Sequence, residues 1–192
     1  EPEVYSLNQL QLLIRSLKGK PLHIHLKIDT GMHRLGFDSA DLSLLIPLIE
    51  KHSNLTVASI FTHLATADNP QEDSFTLTQI KSFNTISNKI KESLQITPIC
   101  HILNSAGIQR FPKAQLDMVR LGIGMYGVAI NNIEQNQLEH VGTLKTRVSQ
   151  IKHIPKNETI GYSRSGIVNQ NSTIATIAIG YADGYDRRFG NG

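Results

Sequence analysis

The sequence predicts an α/β protein whose alternating strands and helices give way, near residue 135, to a segment of strands alone. Three observations carry this. Leu22 to Asp29 alternates without a break, with Leu22, Ile24, Leu26 and Ile28 on one face and His23, His25, Lys27 and Asp29 on the other, which is a strand signal. Up to about residue 120, strand-like runs alternate with helical-period runs, and polar residues gather where the strands end. From Thr143 onward strand patterns recur without helices. Half of a (βα)8 barrel and a small open sheet both fit the first part. A complete barrel takes roughly 250 residues, so the barrel reading places four further strands outside this sequence.

Each element follows from its pattern. Ser6 caps a helix running to about Lys18, with Leu7, Leu10, Leu13, Ile14 and Leu17 on one face and Gly19 and Pro21 ending it. After the alternating strand, Thr30-Gly31 turns the chain and delivers Arg34. Ser39 is the expected cap of a second helix facing inward through Leu42, Leu45, Ile46 and Ile49, with Pro47 kinking it or marking a late start. Leu55 to His63 reads as a strand, Ala65 to Asp73 as a loop, and Phe75, Ile80, Phe83, Ile86, Ile90 and Leu94 as a helix. Ile99 to Leu103 is a short buried strand, followed by a helical turn to Phe111, and Leu116 to Arg120 reads as a fourth strand. Asn131 to His140 has no apolar period and serves as a connector. Thr143 to Ile154 and Ser172 to Gly180 are strands, with Gly161, Gly166 and Asn169 as turn residues and Asp183-Gly184 as a hairpin turn. The expected domains are residues 1–135 and 136–192.

Composition narrows the function classes. Forty per cent apolar and 18% charged residues describe a globular chain. No apolar run approaches the roughly 18 residues that span a bilayer, and no signal peptide is visible, so no membrane role is expected. The charge of +3 has no basic run behind it, which suggests an anionic small ligand and no nucleic acid. Cys100 is the sole cysteine, which fits a reducing compartment. The opening Glu1-Pro2-Glu3 lacks a Met and the final residues stop in mid-pattern, so a piece of a longer protein is expected.

The candidate chemistry lies at the strand ends. A strand face holding His23, His25 and Lys27 suits a barrel lumen, and cations so crowded are costly unless something anionic joins them. A bound anion or conversion of Lys27 to a carbamate facing Arg34 meets that need; the plainer reading is a Lys27–Asp29 pair and a solvated Arg34. His63 closes its strand beside Thr62, as a structural or a catalytic histidine. His101 reads as structural, and His33, His52, His140 and His153 give no signal. Asn104-Ser105 opening a short helix, with Gly122-Ile123-Gly124 after Arg120, makes an anion cradle or, more plainly, two turns. Tyr181 ends a β-segment strand, where an aromatic usually packs. His23-Ile24-His25 also matches the His-x-His of metal-dependent amidohydrolase barrels, but that chemistry needs its lysine on another strand.

The blocks His25 to Met32 with Arg34-Leu35-Gly36, Thr62 to Asp68, Asn104-Ser105-Ala106, Val119 to Gly127 and Ile179 to Gly184 resemble alanine racemases, fold-type-III enzymes that use pyridoxal 5'-phosphate (PLP). The resemblance implies the second half of a TIM-like PLP barrel, strands five to eight, followed by the start of a mostly-β C-terminal domain. It implies a bacterial, cytoplasmic homodimer paired head to tail that racemises L-alanine to D-alanine for the cell wall, with no metal. In that pattern Lys27 is carbamylated and hydrogen-bonded to Arg34, and Arg34 lies near the substrate carboxylate. His63 stacks by the pyridine ring or supports Arg120, and Asn104 belongs to the same shell. Ser105, Gly122 and Ile123 hold the phosphate, while Arg120 faces the pyridine nitrogen. Tyr181 is the acid/base residue on the L-alanine side and reaches the partner subunit's cofactor. The Schiff-base lysine belongs before residue 1, so the chain alone is expected to be inactive. Serine or broad-specificity racemases and basic amino-acid decarboxylases share the fold; Tyr181 within Gly180-Tyr181-Ala182-Asp183-Gly184 argues against the decarboxylases.

Overall fold

The computed structural model describes residues 1–130 and 135–190. They form two compact units, Glu1–Val141 and Gly142–Gly192. The part of the expected connector at 131–134 lies outside the described residues.

In the first unit four parallel strands pair in the order β1 (Glu3–Val4), β2 (Leu22–Lys27), β3 (Leu55–Phe61) and β4 (Ile99–His101). Helices α1 (Leu7–Leu17), α2 (Leu42–Glu50) and α3 (Asp73–Leu94) connect them. Ile24, Leu26 and Ile28 are sealed in one core with Leu10, Leu45, Phe83 and Ile90 from these helices. The alternation of β2 therefore sorts its side chains as expected, apolar toward the helices and polar toward the opposite face. Ser6 does cap α1, its hydroxyl accepting from the Gln9 amide.

Three local expectations need correction. Ser39 caps nothing: α2 starts from Asp41, and the Asp38 carboxylate takes the Ala40 and Asp41 amides instead at 2.7 and 3.1 Å. Pro47 lies inside that helix and not at a late start. Leu116 to Arg120 is not a strand. Only Asp117 and Arg120 donate to the carbonyls of Cys100 and Leu103, and the Asp117 carboxylate occupies the Cys100 amide that a further ladder strand would need. The fourth strand of the sheet is instead β1, two residues long and too short to show a period.

The segment after β2 folds back on itself. Ile28 bridges Phe37, the Asp29 amide donates to the Phe37 carbonyl, and the Asp29 carboxylate accepts from the Gly31 and His33 amides at 2.9 and 3.1 Å. Gly36 sits at φ +138, where a Cβ would collide with the Asp29 backbone, so only glycine closes this loop. Buried Gln79 of α3 pins the next loop, accepting from the Ala65 amide and donating to Thr30 Oγ1 and the His63 carbonyl.

In the second unit β5 (Val148–Ile154) pairs antiparallel with β8 (Ser172–Ile177), and β6 (Thr159–Ile160) with β7 (Gly166–Ile167). The first of these strands begins at Val148 and not at Thr143, β8 ends at Ile177, and Gly166 is a strand residue and not a turn. Tyr181–Asp183 forms one 3-10 turn closed by Gly184 at φ +91. It is no hairpin, because the Asp183 carboxylate folds back onto the Gly180 amide. Among the described residues no helix is long and apolar enough to cross a membrane.

Candidate active site

Beyond the C-terminal ends of β3 and β4 lies a cleft of about 490 Å³ lined by His63, Asn104, Ser105, Arg120, Gly122 and Ile123 among others. Its floor is the helix α4 (Ser105–Arg110), entered through Asn104, whose side-chain oxygen accepts from the Gly107 amide at 2.9 Å. Ser105 Oγ accepts from the amides of Gly122 at 2.9 Å and Gly124 at 3.2 Å. A Cβ added to either glycine would stand about as close as ordinary contact allows to Ser105 Oγ, 3.6 and 3.5 Å. The strip after Arg120 is thus shaped to turn its amides onto one oxygen. Ile123 lines the same cleft, while the second amide on Ser105 belongs to Gly124.

Arg120 is held from behind. Its Nη2 donates to the Thr62 carbonyl at 2.7 Å and lies 3.5 Å from His63 Nδ1, and its Nη1 donates to His101 Nδ1. Burial pushes the Arg120 guanidinium down from its usual range, while Glu3 raises it; an arginine stays cationic there. Burial likewise lowers His63, helped by Arg120, Arg34 and Lys27, so its imidazole is neutral at neutral pH. His101 is pushed down to about 4, by burial first and then by Arg120.

The direction of each bond behind Arg120 follows from the donor inventory. A guanidinium cannot accept, so His101 Nδ1 is the acceptor and its Nε2–H points to Ser59 Oγ at 3.4 Å. Ser59 Oγ is 2.7 Å from His25 Nδ1, and His25 Nε2 is 3.0 Å from Glu1 Oε2. In a neutral His25 the Nε2–H donates to that carboxylate, which leaves Nδ1 to accept from the Ser59 hydroxyl. A single directed chain runs from Arg120 to Glu1 along the polar face of the sheet.

The sequence-derived candidates are distributed as follows. His63, Asn104, Ser105, Arg120, Gly122 and Ile123 share one cleft. Lys27 lies on the same sheet face with His63 and Arg120. Its partner is Glu3, 2.9 Å from Nζ, and not Asp29, whose carboxylate is occupied by loop amides. Among the described residues Lys27 makes no hydrogen bond to Arg34, which is exposed on the loop after β2. Tyr181 belongs to the second unit, 70% exposed. Glu1, Glu3, Ser59, His101 and Gly124 were not singled out as site residues. A short acidic alternation, Glu1-Pro2-Glu3-Val4, was the available signal for the first two. Among the described residues no group of His, Cys, Asp and Glu gathers in a way that could hold a metal ion.

Parallel strands feeding a serine hydroxyl, paired glycine amides and a braced guanidinium into one cleft define a barrel-type α/β protein built to face an anionic small ligand. Residues 1–130 match the family described as "Alanine racemase, N-terminal domain" and residues 141–192 that described as "Alanine racemase, C-terminal domain". The chain belongs to the alanine racemase family. It is 39% identical to an alanine racemase of Carboxydothermus hydrogenoformans over 90% of this chain and 47% of that one. It is 38% identical to that of Methanococcus maripaludis over 98% of this chain and 52% of the relative. Among solved structures, the biosynthetic alanine racemase of Pseudomonas aeruginosa superposes with a TM-score of 0.81 at 27% identity, covering 96% of this chain and 51% of that one. The alanine racemase of Bacillus anthracis with bound L-Ala-P gives a TM-score of 0.75 at 29% identity, covering 97% and 50%. The chain spans about half the length of the curated relatives it matches.

Proposed function

We propose that this chain is part of a PLP-dependent racemase that interconverts L- and D-alanine by two-base proton transfer, supplying D-alanine for the cell wall as a cytoplasmic homodimer. In this reading residues 1–135 belong to the barrel and 136–192 begin the β-domain. The convergence of Ser105, the Gly122 and Gly124 amides and Arg120 on one cleft carries the reading. That donor set fits a phosphorylated, nitrogen-bearing ring: hydroxyl and amides at one end, a fixed cation farther in, and a neutral imidazole beside it.

Ser105 and the amides of Gly122 and Ile123, with that of Gly124, would hold the phosphate. Arg120, locked by Thr62 and His101, would present its guanidinium to the pyridine nitrogen and disfavour a proton there. His63, held neutral, flanks the ring or braces Arg120, and Asn104 fixes the entry to α4. Arg34, from a loop closed by Gly36, would take the substrate carboxylate, and Lys27 is the cation standing behind it on the sheet. When bound, the cofactor supplies electron withdrawal that makes the substrate α-proton removable. Tyr181, from the partner subunit, would take or return that proton on the L-alanine side, opposite the Schiff-base lysine. Bases on both faces are what inversion at a carbon requires.

The test is racemisation itself. The full-length protein carrying this chain should convert L-alanine to D-alanine with PLP bound, and the 192-residue chain alone should not. Absence of D-alanine from the full-length protein, or turnover by the isolated chain, would count against the reading.

A further inference from the structure

We infer that Glu3 is the fixed counter-ion of Lys27 and keeps that lysine an ammonium, so that in this chain Lys27 is not carbamylated. Neighbouring strands place the pair: Glu3 of β1 is in register with His25 of β2, which puts Lys27 one same-face step farther along. The Lys27 side chain is only 10% exposed, and its Nζ donates to Glu3 Oε1 at 2.9 Å.

A second observation points the same way. Nζ lies 5.6 Å from the centre of the Phe61 ring, and the Arg120 guanidinium lies 5.2 Å from the same ring. An aromatic face attracts cations and repels anions. Two cations at one ring also repel each other, and the Glu3 carboxylate relieves that crowding, so no added anion is needed.

Carbamylation would reverse every one of these contacts. The neutral amine attacks carbon dioxide, an N–C bond forms, a proton leaves to solvent, and a positive end group becomes a negative one. The new anion would stand against the Glu3 carboxylate and the Phe61 ring, with Arg34 exposed on its loop and not bonded to Lys27. Glu3 is thus a positioning residue: it decides the charge at the end of Lys27, and through that the field at His63 and Arg120. The inference holds with or without cofactor.

The experiment is carbon-13 NMR of the 192-residue chain, free of cofactor and equilibrated with carbon-13-labelled bicarbonate. The wild-type spectrum should show no protein carbamate resonance, and Glu3→Gln should show one that Lys27→Ala then removes. A wild-type resonance that Lys27→Ala abolishes overturns the inference, and this arm stands even if Glu3→Gln fails to fold. A folded Glu3→Gln chain without the resonance overturns it too, because Glu3 is then not what excludes the modification.

Discussion

Leu26, Ile60 and Phe83 are sealed inside the first unit, whereas Ile151, Ile167 and Ile177 of the second remain 60%, 65% and 44% exposed. Among the described residues the second unit has no buried side chain at all. Both units contain hydrogen-bonded strands, so pairing does not make the difference. The parallel strands of the first have three helices to bury one face against, while the ribbon of β5 and β8 has no such layer. Two strands alone bury too little to be independently stable. The same contrast governs polar chemistry. In the first unit Arg120, His101 and Ser59 are held by fixed partners away from water, and their properties shift; in the second, Tyr181 stands in solvent until something covers it.

The contrast can be broken most directly through the cores. Phe83→Ala should cost about 3–5 kcal/mol by the removal of a fully buried ring, while Ile151→Ala should cost less than about 1 kcal/mol. Urea unfolding of the two variants reads both values, and equal losses would erase the distinction between the units.

Next in size is the acid limb of stability. His101 is depressed to about 4 when folded, from 6.5 when free. Below about pH 6.5 the unfolded chain takes up this proton and the folded one does not, so stability is full above that pH and falls as the pH drops toward 4, by roughly 2 kcal/mol. His63, also lowered, acts with the same sign. Unfolding midpoints across that range should flatten in His101→Gln; an unchanged slope would mean that the imidazole is not held neutral by its burial.

Ser105→Ala removes the oxygen onto which two amides converge and should weaken PLP binding to the full-length protein by about 1–2 kcal/mol, on the order of tenfold. Tyr181→Phe in the second unit should leave that affinity within about twofold while stopping α-proton exchange of L-alanine into heavy water. Cofactor titration and proton NMR separate the two, and a Tyr181→Phe protein that still exchanges would remove the tyrosine from the proposed mechanism. Smallest of all, Asp186→Ala deletes an ion pair with Arg188 on the solvent surface and should leave the unfolding midpoint unmoved.

Much of the first unit was readable because its periods are long. The run from Leu22 to Asp29 and the helix around Phe83 each repeat often enough to betray one face. The cleft residues were readable for another reason: Asn104, Ser105, Arg120, Gly122 and Ile123 sit where strands stop, and their types suit an anion. What escaped was anything made by short elements or by competition for one donor. Glu3 belongs to a two-residue strand. Asp117 looked like part of a strand, yet its carboxylate bonds the Cys100 amide and breaks the ladder. His101, read as structural from its apolar neighbours, proved to be a brace of Arg120.

Taken alone, the order of residues settles which faces are apolar, where helices are capped, and which chemical groups stand at strand ends, since these depend on neighbours a few positions apart. It does not settle who partners whom across the sheet. Lys27 had Asp29 two residues away and an implied bond to Arg34, and it took Glu3 from another strand. That choice belongs to the fold, because parallel register brings residues 24 positions apart into contact while a closed loop turns the nearer carboxylate away.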